Sequence, residues 1–201
     1  MVIHSLKKRL IPWAAASLAI ASIAIAGCGS SSSSTPSSSN AASAEAASAA
    51  QGDIPDNQVF LRYKNPGAGY SIKYPEGWAQ KGSGNLVTFS DKGNSVQIAV
   101  SKGAAPTVAS VSAELKKEAA KDPTLKPGTP QQMKVGPNQA VHVVYHVQGP
   151  ADPVTGKKPT LMVDRYVLGN KGKVATVDES APVGVDNVDA YRLIIESFQW
   201  I

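Results

Sequence analysis

The sequence has very few of the residues from which crosslinks and metal sites are built. Its 201 residues include one cysteine, Cys28, and three histidines. A single thiol cannot form a disulfide within the chain, and it cannot supply the several cysteines of a structural zinc site. If Cys28 is an attachment point, the folded part of the chain has no disulfide and no cysteine metal site.

The signatures of common catalytic and nucleotide-binding sites are also missing. The sequence has no Gly-x-Ser-x-Gly nucleophile turn and no His-Glu-x-x-His helix. Gly156 and Lys157 resemble a phosphate loop only in part, because Lys158 stands where that loop needs Ser or Thr. Two loop lysines are the favoured interpretation, and no catalytic residue is predicted.

The segment that precedes Cys28 has the organisation of an export signal. Residues 7–9 are Lys-Lys-Arg, and residues 10–26 carry no charged side chain. Residues 25–28, Ile-Ala-Gly-Cys, resemble a bacterial lipobox, in which small residues fit the narrow site of the peptidase. The resemblance implies that residues 1–27 are a lipoprotein signal peptide. It also implies that Cys28 carries a diacylglyceryl group on its thiol and an acyl chain, such as palmitate, on its amine.

Two other interpretations of this segment are open. A lone cysteine in an exported protein could be a free thiol or the partner of an intermolecular disulfide. The apolar run could also stay as an uncleaved membrane helix, although such helices need about 20 residues. The basic flank, the small residues and the cysteine together favour lipidation, and two acyl chains suffice for stable anchoring. We therefore expect a membrane anchor on the extracytoplasmic face of the cell membrane.

The charge of the chain depends on this processing. Removal of residues 1–27 takes away three cations and no anions, so the formal net charge falls from +5 to +2. A nucleic-acid footprint would need Lys and Arg clustered on one face. No nucleic-acid partner is expected.

Residues 28–53 are predicted to be a lipidated cysteine followed by a disordered tether. This segment consists almost entirely of Ser, Ala and other small residues. Such a composition cannot bury enough apolar surface to offset the entropy of ordering the chain. A flexible coil of this length has a root-mean-square reach of roughly 25 to 30 Å.

Residues 54–201 are predicted to form one globular domain, because apolar residues here follow the periods of strands and helices. Strands are predicted at residues 59–63, 70–74, 86–89, 96–100, 140–148, 160–168 and 173–178. The residues between strands 86–89 and 96–100 include 91–94, whose composition suits a turn. These two strands are therefore predicted to form a hairpin.

Two helices are predicted between and after these strands. The first follows Thr107 as N-cap and ends at residues 121–123, Lys-Asp-Pro. The second covers residues 186–198, with a buried side predicted to contain Val188, Tyr191, Ile194, Ile195 and Phe198. This order predicts an α+β fold in which the helices pack on a central antiparallel sheet.

The domain resembles the PsbP family. Residues 69–75, Gly-Tyr-Ser-Ile-Lys-Tyr-Pro, are followed by Trp78 and by residues 87–91, Val-Thr-Phe-Ser-Asp, as in the opening of that domain. Later landmarks are Arg165-Tyr166, residues 172–177 and Ser197-Phe198, so the resemblance covers residues 66–201. It implies a Mog1/PsbP-like α/β/α sandwich with a central antiparallel sheet flanked by helices. It further implies a mostly noncatalytic role, since family members bind photosystem II, assist its assembly or occur as bacterial lipoproteins.

Three aromatic residues are candidates for a ligand or partner surface. Tyr70 and Tyr74 alternate along a predicted strand, and Trp78 follows the turn after it. Large rings of this kind could line a groove. Alternating strand positions also supply core residues, so a place in the core is the alternative.

Other polar residues could suggest chemistry. His142 and His146 are separated by about 13 to 14 Å if they lie on a strand, which is too far apart to share one metal ion easily. Asp91 and Asn94 could bind calcium weakly, but a plain turn is favoured because the ligands of a calcium loop are missing. The carboxylates that could serve in acid/base chemistry are Asp164, Asp178 and Glu179, and exposed strand ends would explain them equally well.

The anchor, the tether and the resemblance together indicate the function. We expect a membrane-anchored extracytoplasmic lipoprotein whose PsbP-like domain is a noncatalytic binding or assembly module. It is expected to be a monomer, to have a protein partner at the envelope, and to need no cofactor or metal. The alternatives are an extracytoplasmic hydrolase and a small-ligand or metal-delivery lipoprotein, which includes a photosystem II-associated role.

Overall fold

The computed structural model describes residues 52–151 and 155–201. The predicted signal peptide, the lipidated Cys28 and nearly all of the predicted tether lie outside the described residues. In the described part of the chain, no helix is long and apolar enough to cross a membrane.

Two helices and eleven strands form the described structure. The helices are α1 (Val108–Lys121) and α2 (Val188–Glu196). The strands are β1 (Phe60–Asn65), β2 (Tyr70–Pro75), β3 (Ala79–Ser83), β4 (Leu86–Asp91), β5 (Asn94–Lys102), β6 (Lys126–Pro127), β7 (Gln131–Val135), β8 (Asn138–Gln148), β9 (Thr160–Asn170), β10 (Lys173–Pro182) and β11 (Gln199–Trp200).

The strands form two sheets whose pairings are all antiparallel. The larger sheet has the order β3-β4-β5-β10-β9-β8-β6, and β7 also pairs with β8. The smaller sheet has the order β1-β2-β11. One face of the large sheet packs against α1, and the other packs against α2 and the small sheet. The predicted α+β fold, an antiparallel sheet flanked by helices, is confirmed.

Tight turns fix the register of two hairpins in the large sheet. Lys92 and Gly93 join β4 to β5 with φ values of 46° and 86°, and Lys171 and Gly172 join β9 to β10 with φ values of 46° and 79°. Positive φ at both central residues is the requirement of the two-residue turn that matches strand twist. The predicted hairpin at residues 91–94 is therefore confirmed.

Helix α1 begins and ends where the sequence predicts. The side chain of Thr107 accepts a hydrogen bond from the Ser110 amide, and the Ser110 side chain accepts one from the Thr107 amide. This reciprocal pair satisfies two amides that the first helical turn leaves free. Val111 and Leu115 form the buried stripe that packs on the large sheet.

Helix α2 is shorter than predicted. Tyr191, Ile194 and Ile195 are buried as predicted, and the buried Phe198 lies just after the helix. The prediction for Val188 is wrong, because this side chain is 68% exposed. Val188 is the first residue of the helix, where the helix face opens onto a cavity instead of the core.

The domain begins slightly before residue 54. The Gly52 backbone oxygen accepts a hydrogen bond from the Asn94 side chain, and Asp53 Oδ1 accepts one from the Asp186 amide at 3.1 Å. These two residues, which the sequence assigned to the tether, therefore belong with the folded domain.

Candidate functional site

A cavity of about 310 Å³ lies between α2 and the large sheet. We call it the α2 pocket. Its floor is formed by Met162, Asp164 and Tyr166 of β9 with Glu179 and Ala181 of β10. Its walls are α2 on one side and residues 133–135 of β7 on the other. This volume is at the lower end of the range of small-molecule pockets, roughly 300 to 1,000 Å³.

Two acidic residues of the pocket floor interrupt an otherwise apolar row on that face of the large sheet. Residues directly opposite each other on paired strands share one face of a sheet. The row therefore runs across the sheet through Phe89, Val96, Glu179, Asp164 and Val144. Glu179 and Asp164 are direct neighbours in it, so two acidic side chains are adjacent on this face.

Glu179 is the unusual member of this pair. Its side chain is 1% exposed, and neither carboxyl oxygen has a hydrogen-bond partner among the described residues. Burial, and secondarily the nearby Asp164, hold the pKa of Glu179 well above its usual range. The protonated acid is favoured, and it can donate a hydrogen bond to a molecule in the pocket.

Asp164 has a partner of its own. Its Oδ1 lies 2.8 Å from Nε2 of His142, whose ring stacks on Tyr166 with 4.5 Å between ring centroids. The histidine and the tyrosine are directly opposite on β8 and β9. These contacts fix Asp164 beside Glu179 and leave Glu179 unpartnered.

Hydrogen bonds fix α2 at its N-terminal end. The Asn187 side chain accepts a hydrogen bond from the Ile54 amide at 2.7 Å and donates one to Asn94 at 3.1 Å. The Tyr191 hydroxyl donates to the Ser180 backbone oxygen at 2.6 Å. The helix is therefore tied to the first residues of the domain and to β10.

The other end of α2 meets the turn between β7 and β8. Gly136 has a φ of 53°, and a Cβ at this position would lie 2.6 Å from the Glu196 backbone oxygen. Asn138 donates a hydrogen bond to the Phe198 backbone oxygen at 3.0 Å. These contacts attach the C-terminal end of α2 to the turn between β7 and β8, so both walls of the pocket are held in place at this end.

In wild type, ionisation of Glu179 is expected to lower the free energy of unfolding as pH rises. The Glu179→Gln variant should lack this decrease. Because the folded pKa of Glu179 lies above its unfolded value of about 4.5, the native state keeps a proton that the unfolded state loses. Stability from this residue is then present at acidic pH and is lost as pH rises toward the folded pKa.

The measurement is the free energy of unfolding of wild type and variant between pH 4.5 and pH 8. The two proteins should be similar at the acidic end, and the variant should become progressively more stable than wild type toward the alkaline end. A difference that does not change with pH would show that Glu179 does not titrate in this way.

The aromatic candidates lie in the core. Tyr70 is fully buried and stacks on Phe198, and burial raises the pKa of its hydroxyl to about 12. Tyr74 is half-buried and stacks on Phe89 at 4.1 Å between centroids. Trp78 is 8% exposed and belongs to the same core cluster. Tyr70 and Trp78 therefore take the core positions that the sequence offered as the alternative to an exposed surface, and Tyr74 packs against that core.

The structure separates the three candidate carboxylates. Asp178 and Glu179 are adjacent in sequence but point to opposite faces of β10. Asp178 faces α1, where its oxygens lie 2.7 and 2.8 Å from the Arg165 guanidinium. Arg165 also binds Glu118 of α1 at 2.8 Å. Asp178 therefore helps to attach α1 to the sheet, while Asp164 and Glu179 share the pocket.

The remaining polar candidates are structural contacts. His142 and His146 lie on one strand, as predicted, and pair with different residues of β9, Tyr166 and Met162. Asn94 is buried and binds Asn187 and Gly52, as part of a plain turn. Within residues 52–151 and 155–201, no group of three or more His, Cys, Asp or Glu side chains is arranged to hold a metal ion.

The sequence contains a signal for the pocket that the prediction did not use: an acidic residue within the apolar stripe of β10. Ala175, Val177 and Ala181 alternate along β10 as buried residues, and Glu179 occupies the intervening position on the same face. An acid within an apolar stripe of period two is expected to point into the protein. The predicted strand ends at residue 178, which puts Glu179 at a strand end, whereas the observed strand continues to Pro182.

Comparison with solved structures shows a PsbP-like fold. The chain is similar to the solution structure of cyanobacterial PsbP (CyanoP) from Synechocystis sp. PCC 6803, at 16% sequence identity and a TM-score of 0.54, over 75% of this chain and 98% of that one. At this identity the similarity concerns the fold alone. No protein-family model matches the sequence, and no curated protein matches it.

Two further structures are similar at lower scores. One is a crystal structure from Bacteroides thetaiotaomicron VPI-5482, with 15% identity and a TM-score of 0.48 over 70% of this chain. The chain spans about half of that protein, 48% of its length. The other is LpqN of Mycobacterium tuberculosis, which is involved in cell envelope biogenesis, with 15% identity and a TM-score of 0.41 over 72% of this chain and 85% of that one.

Proposed function

We propose that this chain is a lipid-anchored, noncatalytic binding protein on the extracytoplasmic face of the cell membrane, and that the α2 pocket is its binding site. The anchor is Cys28, and the Ser/Ala-rich segment after it lets the domain reach partners at the envelope. The protein acts as a monomer without a cofactor, a metal or a nucleic-acid partner.

The buried, unpartnered carboxyl group of Glu179 is the observation that carries the proposed site. Buried polar groups in folded proteins nearly always have hydrogen-bond partners, and a missing partner needs an explanation. Here the group lines a cavity with fixed walls and a mostly apolar surface. A bound molecule that pairs with Glu179 would satisfy it.

Native mass spectrometry of the full lipoprotein, purified from its own membranes, tests this site. Wild type is expected to carry a bound small molecule. Ala181→Phe should lose it, because Ala181 lies on the pocket floor and a ring there occupies the cavity. Ala113→Phe is the matched control, since Ala113 is exposed on α1 on the other side of the sheet. Equal adducts on wild type and Ala181→Phe would reject the α2 pocket as the site.

An extracytoplasmic hydrolase is the second candidate, and it is favoured by one observation. Asp164 and Glu179 share a pocket, and Asp164 orients a histidine, His142. Of the described residues that line the pocket, however, none is Ser, Thr or Cys, so the Asp-His pair has no nucleophile of the kind that such a pair usually activates. The binding function is therefore the one that the geometry supports best.

A further inference from the structure

We propose that the α2 pocket binds a small amine, with the ammonium group between Glu179 and Asp164 and the apolar chain extending toward the mouth of the pocket. This inference rests on the proposed function, because it names the ligand class of the same site. It follows from charge, from the hydrogen-bonding capacity of the two acids, and from the distribution of apolar surface.

The charge argument concerns two acids in one row of the sheet. Glu179 and Asp164 are directly opposite on neighbouring strands, where Cβ atoms are about 4.5 to 5.5 Å apart and like charges repel. A cation between them would turn this repulsion into two attractive interactions. An anionic ligand would instead place a like charge beside the two acids.

Hydrogen-bonding capacity distinguishes an amine from other ligands. Ionised carboxylates only accept hydrogen bonds, and an alkylammonium group supplies three donors. Asp164 already receives one hydrogen bond, from His142, whereas Glu179 receives none within the described residues. A hydroxyl has a single donor, so it cannot donate to both acids when both are ionised. With Glu179 protonated, a hydroxyl could accept from that acid and donate to Asp164, so an alcohol is the competing ligand class.

The shape of the pocket indicates an apolar chain attached to the ammonium group. The acids lie on the floor, while Met133 and Val188 line the cavity and are 37% and 68% exposed. Tyr166 and Tyr191 also line it, and aromatic faces attract ammonium groups. An amphipathic amine would therefore have its charge at the floor and its chain along the exposed apolar residues.

Binding of the amine is coupled to ionisation of Glu179. Several titratable or charged groups line or adjoin the pocket: His142 from β8, Lys134 from β7, Asp164 and Tyr166 from β9, and Tyr191, Arg192 and Glu196 from α2. Arg192 is already paired with Asp189 at 2.7 Å. Because the protonated acid must release its proton to bind a cation, affinity should increase with pH by about tenfold per unit until Glu179 is ionised.

The experiment is isothermal titration of the full chain in lipid nanodiscs with three probes of equal chain length: n-hexylamine, n-hexanol and hexanoate. n-Hexylamine is expected to bind most tightly and hexanoate not at all. Glu179→Gln and Asp164→Asn should each weaken amine binding by roughly 10- to 100-fold, the typical effect of losing a hydrogen bond to a charged group. Glu114→Gln removes an exposed acid from α1, on the other face of the sheet, and should change nothing.

Each outcome decides between the ligand class and the site. If n-hexanol binds as tightly as n-hexylamine, the amine class is wrong and the pocket remains the site. Equal amine affinity in wild type and Glu179→Gln, or an affinity independent of pH, also overturns the amine proposal. If no probe binds while Ala181→Phe still abolishes the native adduct, the ligand is of another class. If no probe binds and no adduct exists, the proposed function falls as well.

Discussion

Cys28→Ala is expected to accumulate as an uncleaved precursor that carries no acyl label. If residues 25–28 are a lipobox, as proposed, the diacylglyceryl group is attached to the Cys28 thiol and cleavage after Gly27 follows that attachment. Without the thiol neither step can take place. The effect should be complete, because the sequence has no other cysteine.

Metabolic labelling with an alkyne fatty acid, combined with the intact mass of the purified protein, measures both steps. Wild type should be labelled and should lack residues 1–27, whereas the variant should be unlabelled and should retain them. Ser30→Ala, two residues away, is the matched control and should behave as wild type. Equal labelling of Cys28→Ala and wild type would reject the lipobox interpretation.

Arg165→Met is expected to lower the free energy of unfolding by about 3 to 5 kcal/mol. This is the usual effect of removing one partner of a buried ion pair, because the remaining charge stays buried without compensation. Arg165 is buried between the sheet and α1, and it binds Asp178, Glu118 and the Tyr145 hydroxyl. Its loss leaves Asp178 unpaired and removes the polar attachment of α1.

Urea unfolding of the variant and of a matched control measures this effect. Arg192→Met also removes an arginine from an ion pair, but the Arg192 side chain is 64% exposed and that of its partner, Asp189, 85%. Exposed pairs contribute at most about 1 kcal/mol, so this control should change stability little. If both variants lose the same stability, the ion pairs of Arg165 with Asp178 and Glu118 do not act as buried pairs.

A triple variant separates the cost of an unpaired charge from the value of the pair itself. Replacing Arg165, Asp178 and Glu118 together with apolar residues should recover much of the lost stability, because well-packed apolar groups often replace buried ion pairs without penalty. A triple variant as unstable as Arg165→Met would show that the pairs themselves provide the stability.

The elements that the sequence predicted correctly are those with local signals. Tyr70 and Ile72 alternate with polar residues along β2, and both are fully buried. Lys92-Gly93 has the composition of a tight turn, and Thr107 with Ser110 forms the cap of α1. Each of these signals depends only on residues close together in the chain, so it can be recognised without tertiary structure.

The strands that were missed lack such a signal. All five residues of β3 are exposed, and so are four of the five in β7. These strands are held by backbone pairing with β4 and β8, which does not depend on apolar side chains. A pattern of buried and exposed residues therefore could not reveal them.

Nearby residues in the sequence were enough to predict the order of the main strands and helices, and they are also the basis of the predicted export signal and tether. Which carboxylates share the pocket could be seen only in the folded domain. Asp178 and Glu179 are neighbours in sequence, yet one binds Arg165 under α1 and the other lies beside Asp164 in the α2 pocket. Strand pleating sends them to opposite faces, and the long-range pairing of β9 with β10 brings Asp164 to Glu179. The absence of a hydrogen-bond partner for Glu179 follows from the packing of α2 and the sheet around it, which no short stretch of sequence encodes.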